Sequence, residues 1–150
     1  DLPYWGCVQG KTPEQIRAQW NLPAELAEAE LVVAAKDISN GGVLGTLIMM
    51  LELTGCGAVL DLSAIPRPEG DLFRWLRAFQ SFGFLLAVEP EKVSALINYV
   101  QSSHLSCAPV GSFTSDGKIQ LDQLGVTAEF WDINQQPLTA MGGIHALSEL

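Results

Sequence analysis

At 150 residues, 48% hydrophobic and a mean hydropathy of +0.22, the chain is long enough for one real core but not two. Its net charge of −9 leaves only eight basic residues, scattered from Lys11 to Lys118. That excludes a nucleic-acid binder, because a phosphate backbone demands clustered Lys and Arg.

The most apolar stretch, Val43 to Leu53, is too short to cross a bilayer and is interrupted by Gly45 and Glu52, so no membrane association is expected. The three cysteines, Cys7, Cys56 and Cys107, are far apart and form no C-x-x-C pair. They read as buried or incidental thiols rather than a disulfide framework or zinc site. His104 and His145 have no partner at metal-ligand spacing, and no metal site is expected in this chain. Reduced thiols and the lack of a signal peptide make the cytoplasm the expected location. The opening on Asp1 and an irregular Leu-Pro-Tyr-Trp-Gly reads as a piece of a longer protein.

Residues 1–12, with Pro3, Gly6 and Gly10, read as an arm or linker. Thr12 then resembles an N-cap, with Pro13 at the first helical position and Gln15 closing a capping box. A helix from Pro13 to about Trp20 follows, which Asn21-Leu-Pro is expected to break. A second is expected from Pro23 through Leu26 and Leu31 towards Ala35, on Ala, Glu and Leu content. Lys36-Asp-Ile-Ser-Asn-Gly-Gly is a turn cluster. Val43 to Leu53, apolar almost all round, predicts a buried central helix with Gly55 at its C-terminal cap.

Ala58 to Leu62 reads as a short strand and Asp71 to Phe79 as a short helix. Phe82 to Val88 is a continuous apolar run, the mark of a buried strand, and Pro90 starts a further helix lined by Val93, Leu96, Ile97 and Val100. Ala108–Ser115 and Lys118–Leu121 around Asp116-Gly117 predict a β-hairpin, and Val126–Asp132 one more strand. If the strands at Phe82 and Ala108 lay parallel, the segment between would be a right-handed crossover. From Gln135 the signals are weak. Helices interleaved with strands imply an α+β fold, a mixed sheet flanked by helices.

Asp37-Ile-Ser-Asn-Gly-Gly-Val-Leu places two glycines before a buried helix. The first backbone amides of a helix lack intrahelical partners and carry the positive end of its dipole, and glycine admits close approach of a phosphate oxygen. On that reading Asp37 holds a metal or orients a substrate hydroxyl, and Ser39 or Asn40 donates to an oxyanion. The alternative is a helix cap, with Gly41 and Gly42 merely making the turn. Phe79-Gln-Ser-Phe-Gly-Phe reads likewise two ways. It is a connection packed close through Gly83, or a second loop presenting Gln80 and Ser81. No general base stands out, and neither histidine sits in a nucleophile motif.

Lys36-Asp-Ile-Ser-Asn-Gly-Gly-Val-Leu-Gly-Thr-Leu, with Glu52, Gly55-Cys-Gly-Ala and Ile65-Pro66, resembles the C-terminal domain of AIR synthase and its relatives. Gln80-Ser-Phe-Gly-Phe-Leu-Leu-Ala-Val-Glu-Pro-Glu is similar to the selenophosphate-synthetase version of the loop and strand, and Cys107-Ala-Pro-Val-Gly-Ser-Phe to the closing strand. The resemblance implies a core over residues 31–121, preceded by an arm and linker helices over 1–30. Residues 122–150 would be a C-terminal extension of the same domain. It further implies that Asp37, Ser39, Asn40, Gly41 and Gly42 face a cleft, with Gln80, Ser81 and Gly83 nearby. ATP and Mg2+ would be the intact protein's cofactors, held mostly by a missing N-terminal domain that also makes a homodimer. A small-molecule substrate would be phosphorylated or activated as a phosphate. Two departures stand out: the acidic N-terminal metal motifs have no counterpart here, and Phe82 replaces a small residue, narrowing or filling the pocket. A binding or dimerisation module that keeps the fold without the catalysis is the competing expectation.

Overall fold

The computed structural model describes residues 6–80 and 82–139, which form two compact units. Of the described residues, the first comprises 6–43, 66–80 and 82–109, and the second 44–65 and 110–139.

In the first unit, helix α1 spans Pro13–Glu28 without a break. The capping box is present: Thr12 Oγ1 accepts from Gln15 N, and the Gln15 side chain accepts from Thr12 N. The expected break at Asn21-Leu-Pro does not occur, and Pro23 lies inside the helix. A mid-helix proline removes one backbone hydrogen bond, but Leu22 and Leu26 on either side of it are buried at 4% and 2% exposure. Each buried leucine contributes about 1.5–3 kcal/mol, enough to hold the helix through the defect. Nor does helix run on to Ala35. Glu30 takes a left-handed conformation, φ 53°, its N–H bonds Ala27 O and that of Leu31 bonds Leu26 O. This is the Schellman stop usually built on glycine, and Lys92 Nζ caps the Glu30 carbonyl at 2.7 Å.

The freed residues become strand β1, Ala34–Asp37, paired antiparallel with β3, Phe84–Ala87. Between them in sequence lies α3, Leu72–Leu76, capped by Asp71, whose carboxylate accepts from Arg74 N. After β3, a 3-10 turn at Pro90–Lys92 leads into α4, Val93–Ser102. Leu22 and Leu26 of α1 meet Leu96 and Val100 of α4, with Leu86, Val88, Leu31 and Cys107 packed against them. Burial pushes the Cys107 thiol pKa up.

The second unit holds helix α2, Gly42–Glu52, apart from its first two residues, and a four-stranded mixed sheet. Its strands are β2 Gly57–Asp61, β4 Gly111–Thr114, β5 Lys118–Gln123 and β6 Val126–Asp132, in the order β4-β2-β5-β6. Thr46, Leu47, Ile48 and Leu51 of α2 and Ala58, Leu60 and Ile119 of the strands are buried. On the opposite sheet face Val59, Gln120 and Lys118 alternate with them, the period-2 pattern of a half-buried sheet.

The hairpin expected across Asp116-Gly117 is not one. β2 is inserted between β4 and β5, antiparallel to the first and parallel to the second. The turn at residues 115–117 therefore passes over the start of β2. The true hairpin joins β5 to β6 through Leu124 and Gly125, both at positive φ. The crossover from Phe82 to Val110 also fails, since β3 and β4 belong to different sheets. The fold is α+β with a mixed sheet, as expected, plus a separate two-stranded ribbon.

Gly57 is what lets the β4–β5 turn cross. A Cβ there would overlap Lys118 O, the Asp116 carboxylate and Thr114 Oγ1. Gly57→Ala should therefore lower the unfolding free energy by about 1–3 kcal/mol, read as a shifted urea midpoint at unchanged slope.

Candidate functional site

The β1–β3 ribbon brings the two loops named above to one end of the first unit. Asp37 pairs in register with Phe84, and the ladder continues one step further, with Ile38 N donating to Gly83 O at 2.8 Å. The chain leaving β1 and the chain entering β3 are thus joined where Asp37, Ser39, Gly83 and Gln80 lie.

The first loop turns through Gly42 N–H to Ser39 O at 2.8 Å. Ser39 is half-buried, while Asn40 and Gly41 are exposed. Gly42 is buried at φ 62°, and a Cβ on it would overlap Leu76 O and the Arg77 backbone. The end of α3 packs on this glycine so closely that no side chain fits there. The two glycines therefore have different environments, which the Gly-Gly pair in the sequence did not reveal.

Asp37 is exposed over 62% of its side chain and pairs with Lys36 Nζ at 2.7 Å. The hydrogen bond from Lys36 holds its carboxyl below the ordinary aspartate value of 3.8. It is an ionised acceptor on the surface, its charge partly answered by a neighbour. Sequence reasoning quoted Lys36 without giving it this role, since strand neighbours ordinarily point to opposite faces.

In the second loop, Gln80 is 8% exposed and its Oε1 lies where a Gly83 Cβ would stand, 2.6 Å away. The Gln80 side chain thus folds over Gly83 in place of a side chain there. Phe82 N bonds Gln80 O at 2.6 Å, and the Phe82 ring meets Phe84 edge-on at 5.4 Å. Phe82 lines a mostly apolar cleft with Val8, Ile16 and Trp20, and Lys11 and Gln19 also contribute to its wall. Lys11 Nζ donates to Gln19 Oε1 at 2.6 Å. Ser81 lies outside the described residues, as does His145; His104, at φ 57°, follows the last turn of α4. Among the described residues no cluster of His, Cys, Asp or Glu is arranged to hold a metal ion. No helix among them is long and apolar enough to cross a membrane.

With this geometry in place, the comparisons with known proteins are specific. The profile of the family described as AIR synthase related protein, C-terminal domain, matches residues 5–123, and the chain belongs to that family. It is 38% identical over 145 residues to uncharacterized protein sll0787 of Synechocystis sp., covering 95% of this chain and 45% of the other. The chain thus spans less than half the length of that relative. Among solved structures it is similar to Thermotoga maritima PurL complexed with AMPPCP. There the TM-score is 0.73 at 18% identity, covering 93% of this chain and 24% of PurL. PurL has also been solved with ATP and with ADP. Escherichia coli HypE, a hydrogenase maturation protein, aligns with a TM-score of 0.65 at 22% identity, over 78% and 40% of the two chains. At these identities the structural likeness establishes the fold.

Two measurements test the roles assigned here. Gly42→Ala should cost about 1–3 kcal/mol from overlap with the α3 backbone and roughly a further 1 from left-handed strain, seen in urea unfolding. Asp37 should titrate below 3.8 by carboxyl NMR, and Lys36→Met should return it towards that value. Because the folded pKa is lowered, the pair's contribution is present above the unfolded pKa and is lost as pH falls through the folded one. On an exposed pair it is worth roughly 0.2–1 kcal/mol.

Proposed function

We propose that this chain is the substrate-side domain of an ATP-dependent enzyme that phosphorylates a small substrate, or activates its carbonyl oxygen as a phosphate. The observation that carries this is the Ile38–Gly83 hydrogen bond, which places the Asp37–Gly42 loop beside the Gln80–Gly83 loop. Family membership and likeness to PurL, solved with ATP, ADP and AMPPCP, support the ATP-using part of the reading.

The residues present do not by themselves fit ATP and Mg2+. Asp37 is a single exposed carboxylate already paired with Lys36, and the Gly42 amide is bonded to Ser39 O. ATP and its metal are therefore assigned to a further N-terminal domain, and this chain to the substrate. Phosphoryl transfer depends chiefly on positioning and charge neutralisation, so a substrate domain needs no strong base. Asp37, ionised and solvent-facing, accepts from a substrate hydroxyl or amide and orients it. Asn40, exposed in the same loop, supplies an amide donor to an anionic oxygen. Gln80, held over Gly83, sets the position of the second loop. Lys36 pairs with Asp37 and favours its ionised form.

A second reading, a binding or dimerisation module, is favoured by one feature. Val126 and Ala128 of β6 pair in register with Gln123 and the half-buried Leu121 of β5 and are themselves exposed, Val126 at 73%. An uncovered apolar sheet face marks a contact surface.

The test is ADP formation from Mg-ATP by a longer protein that includes the N-terminal domain, with candidate small substrates added in turn. Turnover is expected from the longer protein and not from this chain alone. Asp37→Ala should lower substrate-stimulated turnover at least about tenfold, the loss of one transition-state contact, with the circular dichroism unchanged. Equal turnover in the variant would remove Asp37 from the mechanism.

A further inference from the structure

Phe82 is held in one orientation: its N–H bonds Gln80 O and its ring meets that of Phe84 edge-on. It forms part of the wall of the cleft described above, whose volume is about 210 Å³. The arm and α1 supply the rest of that wall, within the same unit. Ile16 and Trp20 stand four residues apart on α1 and so share one face of the helix. Leu22 and Leu26, on another face, take the contacts with α4. Trp20 is left 73% exposed, with a ring face to offer an occupant.

Among the described residues that line the cleft, Lys11 is the charged one. Its ammonium donates to Gln19 Oε1 at 2.6 Å. That acceptor is neutral, so the ammonium keeps its charge and two further donors. Among the described residues, the ion pairs to carboxylates are made by Lys36 and Lys118, not by Lys11. Gln19 is 9% exposed and its Nε2 reaches Ser103 O at 3.5 Å, which anchors the group that holds the ammonium. A lysine placed in advance loses less freedom when a ligand arrives.

Size and charge together define the occupant. An apolar cavity of ~150 Å³ takes up benzene, whereas sites for larger ligands run to about 300–1,000 Å³. The cleft therefore suits one ring and is too small for a nucleotide. A lone ammonium, a compact point charge without the fork of a guanidinium, matches a single negative charge.

We propose that the cleft between the arm, α1 and Phe82 is a binding site for a small carboxylate that carries one aromatic ring. The ring lies against Trp20, Ile16 and Phe82, and the carboxylate pairs with Lys11. Neither ATP nor the Asp37 loop takes part, so the site holds its ligand whether or not the longer protein transfers phosphate.

Titration of the chain with phenylacetate, followed by amide and indole NMR, tests this. The indole N–H of Trp20 and the amides of Ile16 and Phe82 should shift saturably together, with a Kd on the order of 1 mM. Benzyl alcohol keeps the ring but lacks the charge, and should bind about fivefold more weakly. Lys11→Met should lower the affinity for phenylacetate about fivefold, to that of the alcohol. Lys11→Arg restores the charge and should restore the preference. Trp20→Ala, at an exposed position, should weaken both ligands about fivefold, read at the Phe82 amide. No saturable shift by about 10 mM, or shifts confined to residues outside the cleft, would overturn the proposal. So would equal affinity for acid and alcohol in the parent chain, or parent affinity in Trp20→Ala. Should Lys11→Met not fold, the comparison of acid and alcohol on the parent chain decides the role of the charge.

Discussion

Antiparallel pairing of four residues of β1 with four of β3 is the constraint on which the candidate site depends. A two-stranded ribbon is marginal in water by itself. This one is held because Leu86 and Val88 pack against the cluster of Leu22, Leu26, Leu96 and Val100. A slip of one residue in either strand would turn those side chains away from the helices. It would also move Gly83 off Ile38 and part the two loops. The register that keeps the core buried is thus the register that assembles the site, and helix–helix packing is converted into loop geometry.

Close backbone approach makes the rest possible. At Gly42 the end of α3 lies against the start of α2, and at Gly57 the β4–β5 turn runs over the start of β2. In both places the partner is largely backbone, which cannot step aside as a flexible side chain can. Interiors at crystal-like density transmit such overlaps instead of absorbing them. In the second unit the crossing at Gly57 lets two consecutive strands straddle a third, an arrangement that a simple hairpin cannot give.

Two carboxylates show how differently the same group is used. Asp37 faces solvent with Lys36 beside it, so its charge costs little and stays available. Glu52 is buried, and its charge is tolerated because Thr139 supplies donors to both oxygens. The first arrangement suits contact with a small polar ligand. The second suits fastening one part of the chain to another. Burial and partner, more than residue type, separate the roles.

Much of the local structure was legible in the residues. Thr12-Pro13 with Gln15 signalled the start of α1, the apolar run after Gly42 signalled α2, and Val126–Asp132 was read as β6 to the residue. The ordered loops also carried the family resemblance, and with it the α+β fold. These signals are local, set by capping chemistry and by periodicity within one segment. Other features were beyond reach. A helix persisting through Pro23 needs the partners of Leu22 and Leu26. A helix stop at Glu30 and a hairpin turn at Leu124 use left-handed residues other than glycine, and the Asp116-Gly117 signal pointed to a hairpin that β2 interrupts. The same holds at the site. Sequence alone determined which polar groups and glycines each loop carries. Only the tertiary structure decided that Gly42 packs against the end of α3, that Lys36 pairs with Asp37 and that Gly83 meets Ile38. Each of those depends on which distant backbone or charge arrives beside the residue, and pairing between distant segments is not encoded in the spacing within any one of them.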